Sequence, residues 1–198
     1  MNMPVDHALP AASGVAFKEW HGVCLALEAG DQSIILRKGG IDEAAGGFTP
    51  EHSAFWLYPT HVHETQQGLR IQAANRGLDL VAEPAVVHIS TMAVVAVVGR
   101  IESTESLSQL EDLHVWTAET VEKRFHYRKP GLWVLGVRVY SREKPWKVAV
   151  TPTHAGCKTW VELEPTLETS GLAPVLARDV FAARIDRLRS IIATGGST

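Results

Sequence analysis

Apolar and polar positions follow two rhythms along the chain. Phe17, Trp20, Val23, Cys24 and Leu27 recur at the three- and four-residue spacing that puts one stripe on a helix, so a helix is predicted over Phe17 to Glu28. Gly30 is its natural stop, because a residue without Cβ takes the left-handed conformation at a helix end without steric cost. Ser33 to Arg37 then holds consecutive aliphatics, which predicts a strand buried on both faces. The Gly-rich stretch Lys38 to Thr49 reads as a loop. A further strand is predicted from Phe55 to Tyr58, and 64–79 is polar without a clear period.

The same reading gives strands at Ala85 to Ile89 and Ala93 to Ile101, where β-branched residues dominate. Ser106 to Gln109 fits a capping box for a short helix ending near Leu113, and Thr117 caps another over Ala118 to His126. Pro130-Gly131 breaks that helix, and strands follow at Leu132 to Tyr140, Trp146 to Val150 and Lys158 to Leu163. In the last segment, Leu176, Val180, Phe181, Ile185, Leu188 and Ile192 trace a stripe, with Arg178, Arg184, Arg187 and Arg189 mostly off it. The division expected is a disordered lead-in over 1–14, one α+β domain over 15–164, a connector over 165–174 and an amphipathic helix over 175–193. That helix docks either on its own domain or on a second copy, as a homodimer.

Composition narrows the class. At 198 residues and 45% hydrophobic, the chain can bury one core of ordinary domain size. Its longest apolar run, Met92 to Val98, falls far short of the roughly 20 residues needed to cross a bilayer, so no membrane partner is expected. The first residues lack a basic start and a continuous apolar segment, so the expectation is a cytoplasmic protein. Cys24 and Cys157 are too few for a disulfide framework. The net charge of −3 argues against indiscriminate coating of nucleic acid, yet it hides an asymmetry. Acids outnumber bases up to Glu119, and bases outnumber acids after it.

Candidate chemistry gathers at a few places. Arg37-Lys38-Gly39-Gly40 combines two long cations with two residues that let a phosphate approach the backbone. It is neither a Walker loop nor a dinucleotide fingerprint. Aromatic side chains stand beside polar ones at Trp56 and Tyr58, at His114 and Trp116, at Trp160, and in Phe125-His126-Tyr127-Arg128-Lys129. Such faces can stack on a nucleobase while neighbouring cations hold its phosphates. His61, His63, His154 and Cys157 are ligand types for zinc, but their spacing matches no established zinc pattern, and no metal or other cofactor is assigned. No nucleophile elbow is present, and an enzyme is the weaker reading.

Six strings carry a resemblance: Lys18-Glu19-Trp20, Leu36-Arg37-Lys38-Gly39-Gly40-Ile41, Leu57-Tyr58-Pro59-Thr60 with His63, His114-Val115-Trp116-Thr117, Arg138-Val139-Tyr140 and Gly156-Cys157-Lys158-Thr159-Trp160. Over Phe17 to Leu163 they resemble a bacterial family known as domain of unknown function 1802, which has no established activity. Its members resemble proteins that sit beside restriction-type nuclease domains, which implies a nuclease partner and a role in recognising or restricting nucleic acid. The order of elements is more remotely similar to PUA-like domains of the ASCH and EVE types. That likeness implies a twisted, partly closed mixed β-barrel with short helices, able to bind RNA or modified bases. Some ASCH proteins are amidohydrolases using a Lys and a Thr. The corresponding positions here are Gln32 and Ser33, which favours binding over catalysis.

These readings combine into an α+β, PUA-like nucleic-acid-binding module with an added C-terminal helix, a reader of a modified or flipped base in a restriction or defence setting. Arg37, Lys38, Gly39 and Gly40 would hold phosphate. Tyr58, Trp116 and Trp160 would frame a base, and Thr60, His63 and His114 would supply polar edges. Two other classes stay open: an amidohydrolase-like enzyme acting on nucleobases or nucleotides, with His63 or His114 as base and Ser33 as nucleophile, and a structural protein that oligomerises through its last helix.

Overall fold

The stripe predicted as one helix over 17–28 divides in two. The computed structural model, which describes residues 9–38, 51–61, 68–70, 84–156 and 158–195, places Phe17 to Trp20 in a strand, β1 (Ala12–Trp20), and starts helix α1 (His21–Ala29) after it. Tertiary pairing decides the matter: β1 lies parallel to β3 (Ala54–Thr60), with Lys18 opposite Tyr58 and Trp20 opposite Thr60, and antiparallel to β6 (Trp160–Glu168). Ladder bonds on both sides outweigh a four-residue helical extension. α1 ends as predicted at Gly30, whose φ of 78° is left-handed.

The chain continues through β2 (Ile34–Arg37), β4 (Val86–Ile101), the short helix α2 (Thr104–Ser108), a 3-10 turn (Glu111–Leu113), α3 (Ala118–His126), β5 (Leu132–Ala149), a second 3-10 turn (Pro152–His154), β7 (Ala173–Pro174) and α4 (Arg178–Gly195). Ser103 and Thr117 cap α2 and α3, each accepting from a backbone N–H three residues on. The strand pairs predicted at 85–89 and 93–101, and at 132–140 and 146–150, are single long strands. Register shifts at Ile89/Thr91 and Val95/Val97 absorb the polar interruptions.

Together they make a mixed, seven-stranded sheet in the order β2-β5-β4-β3-β1-β6, with β7 added to β5. The fold is α+β. Its ladder path is open among the described residues, so the expected partly closed barrel is not what the hydrogen bonds form. The sheet nonetheless coils. Flat, at about 4.8 Å per strand, β2 and β1 would stand roughly 19 Å apart, yet the Arg37 Nη2 at the end of β2 donates to the Lys18 carbonyl of β1 at 2.7 Å. The two bulges in the β4·β5 ribbon are the local cause, since a bulge bends its strand and increases its twist.

One core fills the concave side, around Phe17, Leu27, Ile35, Phe55, Trp116 and Leu135. A smaller one, around Trp56, Tyr58, Met92 and Val161, lies on the other face. α4 docks on β4 and β5 of its own chain, burying Phe181, Ile185, Leu188 and Ile191. The stripe that a homodimer through this helix would use is therefore covered. Close approach depends on Gly99 and Gly136: a Cβ at Gly136 would lie 2.6 Å from Val97 and 2.8 Å from both Ile185 and Leu188. Gly136→Val should therefore lower stability by about 1–3 kcal/mol through overpacking under α4, read as a reduced urea midpoint.

Candidate functional site

β1 and β3 run parallel and end side by side, and the end of β2 is folded onto them by the coil of the sheet. Side chains at these strand ends are therefore brought together. Among them is Glu19, only 4% exposed. Its Oε1 accepts from the Trp20 N–H at 2.9 Å, and its Oε2 lies 3.7 Å from Arg37 Nη2. The Arg37 guanidinium also lies over the Phe17 ring, 4.1 Å from its centroid. Arg124 enters from α3: its charge is favoured by Glu19 and opposed by Arg37, and burial works against it more strongly than either, lowering its pKa. The Arg37 Nε is buried without a hydrogen-bond partner among the described residues.

The predicted residues separate into three groups. Arg37, Thr60 and Trp160 lie at or near the strand ends. The Thr60 hydroxyl donates to the Glu19 carbonyl at 3.2 Å, and the half-buried Trp160 indole packs edge-on against Phe17 and Phe55 at 4.9 and 5.1 Å. Trp116 is fully buried in the core, with the Arg124 guanidinium over its ring at 5.2 Å. Tyr58 and His114 go elsewhere. Tyr58 is buried in the core on the opposite face, its ring 5.5 Å from that of His154, with the Lys18 ammonium 5.9 Å away. His114 lines a cavity of about 230 Å³ between α2 and α3, with Leu107, Glu111 and Val121 among its walls. Gly39, Gly40 and His63 lie outside the described residues, as does Cys157.

Lys38 turns to α3 instead. Its ammonium donates to the carbonyls of Phe125 at 2.6 Å and Gly131 at 2.9 Å, and to that of Lys129. It holds the end of α3, where uncompensated carbonyls favour a cation. Burial and the nearby Arg100 both lower its pKa. Arg100 is itself paired with Glu102, its Nε 3.2 Å from the carboxylate.

Gln32 and Ser33, the positions on which the amidohydrolase expectation turned, make hydrogen bonds within the fold. The Gln32 amide donates to the Ile34 carbonyl at 2.7 Å and accepts from the Val115 N–H at 3.0 Å. Ser33, 1% exposed, accepts from Arg184 Nη1 at 2.8 Å. His61 packs against His21, their ring centroids 4.4 Å apart. Among the described residues no group of three or more His, Cys, Asp or Glu side chains is placed to hold a metal ion, and no helix is long and apolar enough to cross a membrane.

Glu19, Arg124 and Arg100 were not among the predicted site residues. The pattern that marks Glu19 is a carboxylate in the strand alternation Phe17-x-Glu19, legible only once residues 17–20 are read as strand. Arg124 adjoins the apolar pair Val121 and Phe125 and looks like a solvated helix cation in sequence.

A model of the family described as Domain of unknown function (DUF1802) matches residues 16–187. The chain belongs to that family. No curated protein matches it. Among solved structures, the crystal structure of ASCH from Zymomonas mobilis shares 10% identity at a TM-score of 0.46, covering 89% of this chain and 93% of that one. A point variant of the same protein gives 10% identity and a TM-score of 0.42, covering 91% of this chain and 99% of that one. These are distant likenesses, and the site is read from its own side chains.

Two histidines make stability depend on pH. Burial, reinforced by Arg70, pushes His114 down to about 4, and burial, reinforced by His61, pushes His21 down to about 4. Unfolded, both titrate near 6.5. Between those values the unfolded chain binds more protons, so the stabilisation is complete above 6.5 and is lost as pH falls toward 4. Urea midpoints should drop from pH 7 to pH 5, with His114 contributing a slope approaching about 1.4 kcal/mol per unit. His114→Gln should flatten that dependence.

Proposed function

We propose that the end of β1 is a phosphate-binding crevice and that the protein is a nucleic-acid-binding module. The observation that carries this is the partly buried Arg37 guanidinium, which lies 3.7 Å from the Glu19 carboxylate while its buried Nε has no hydrogen-bond partner among the described residues. A buried N–H left without an acceptor is costly. A bound phosphate oxygen would accept from the guanidinium donors that Glu19 and the Lys18 carbonyl leave unused. Nucleic acid suits the site better than a lone anion. The Trp160 indole and the Thr60 hydroxyl stand near the same strand ends and would serve as a stacking face and a polar edge.

Reading of a flipped or modified base is the finer form of this proposal, with Trp160 as the stacking face. A defence setting with a nuclease partner is the context implied by the family resemblance. Gln32 and Ser33, both occupied by structural hydrogen bonds, favour binding over the amidohydrolase alternative.

Fluorescence anisotropy with short labelled oligonucleotides, modified and unmodified, tests the proposal across a salt series. Wild type should bind with an affinity that falls as salt rises, and Arg37→Ala should bind more weakly with a log–log slope shallower by about 0.9, one phosphate contact. Binding by Arg37→Ala at wild-type strength and slope would remove the crevice from the account.

A further inference from the structure

The turn that follows α3 is built to present a side chain. Tyr127 is 57% exposed, more than any other large hydrophobic side chain among the described residues. Beside it Arg128 adopts φ 61°, the one non-glycine residue with positive φ among those described. A left-handed arginine is uncommon, and the strain persists only where surrounding structure imposes it. The imposing structure is visible. Lys38 gathers the Phe125, Lys129 and Gly131 carbonyls on one ammonium. Arg100 packs against Gly131, where a Cβ would lie 3.0 Å from its Nη2, and Gly131 itself has φ 123°. The result is a clamped tip with a solvated phenol ring, the Arg128 guanidinium 5.1 Å from its centroid and Lys129 next in the chain.

A single exposed tyrosine is ordinary in itself; the clamped backbone that presents this one is what sets it apart. This one is held away from any core by a strained and clamped backbone. A ring flanked by cations fits an unstacked base whose phosphates lie on either side. The tip is also continuous with the phosphate crevice, because Lys38 is the residue after Arg37 and its ammonium anchors the tip.

We infer that Tyr127 is a base-stacking platform and that the ligand of this edge is a single strand, one nucleotide's phosphate lying at Arg37 and another's base on the Tyr127 ring. The inference rests on the phosphate-binding reading and specifies its ligand. A duplex cannot satisfy it, since paired bases keep their faces stacked on each other.

Anisotropy with one labelled strand and the duplex formed from it, at low salt, tests this on the full chain. Tyr127→Ala removes a solvated ring and should weaken binding of the single strand about tenfold, with duplex binding unchanged. Tyr127→Trp should retain or tighten single-strand binding. If Tyr127→Ala binds the single strand as wild type does while Arg37→Ala does not, the platform is wrong and the crevice stands. Equal losses for single strand and duplex also overturn the platform. If wild type binds neither nucleic acid, the crevice and the platform fall together.

Discussion

The contact on which the rest of the structure depends is the reach of Arg37 from β2 to β1, where it meets the Lys18 carbonyl and the Glu19 carboxylate. In the hydrogen-bonded order these strands are separated by β5, β4 and β3, so the contact exists only because the sheet coils. Coiling in turn needs the bulged β4·β5 ribbon and a concave core that can be filled from one side. The ion pair does not create the coil. It fixes how far the coil proceeds, because a carboxylate at 4% exposure must keep its cation.

That constraint explains why the site sits where it does. The strand ends supply Glu19, Arg37 and Thr60, and α3 supplies Arg124 across the top of the fully buried Trp116. α3 then ends in a turn gripped by Lys38, so the strand-end contact and the exposed Tyr127 are set by Arg37, the last residue of β2, and by the residue after it.

Much of the fold was legible in the sequence for local reasons. Thr117 and Ala118–His126 behave as cap and helix, and Gly30 ends α1, because capping and left-handed glycine are decided within a few residues. The beginning of β1 was not legible. Phe17, Trp20 and Val23 satisfy a helical period while Phe17 and Glu19 satisfy a strand, and only parallel pairing with β3, about forty residues away, selects between them. The site divides along the same line. Arg37 was visible as a cation closing a strand, and Trp160 as an aromatic beside it in space. Tyr58 was misjudged in direction, since neighbouring strand residues point to opposite faces and it lies in the far core. Lys38 reads in sequence as a phosphate ligand but serves the carbonyls of a helix end, a role set by a contact some ninety residues distant.

The central claim is that the Arg37 guanidinium is offered to a phosphate and that the Glu19 carboxylate beside it opposes that phosphate's approach. Glu19→Gln keeps the shape and removes that negative charge, and its affinity for a short single strand in dilute buffer can be compared with wild type after circular dichroism confirms folding. Tighter binding is predicted, by about fivefold, equivalent to ~1 kcal/mol of removed Coulomb repulsion at contact distance, and the gain should shrink as salt is added. Unchanged or weaker binding by a folded Glu19→Gln protein would contradict the account.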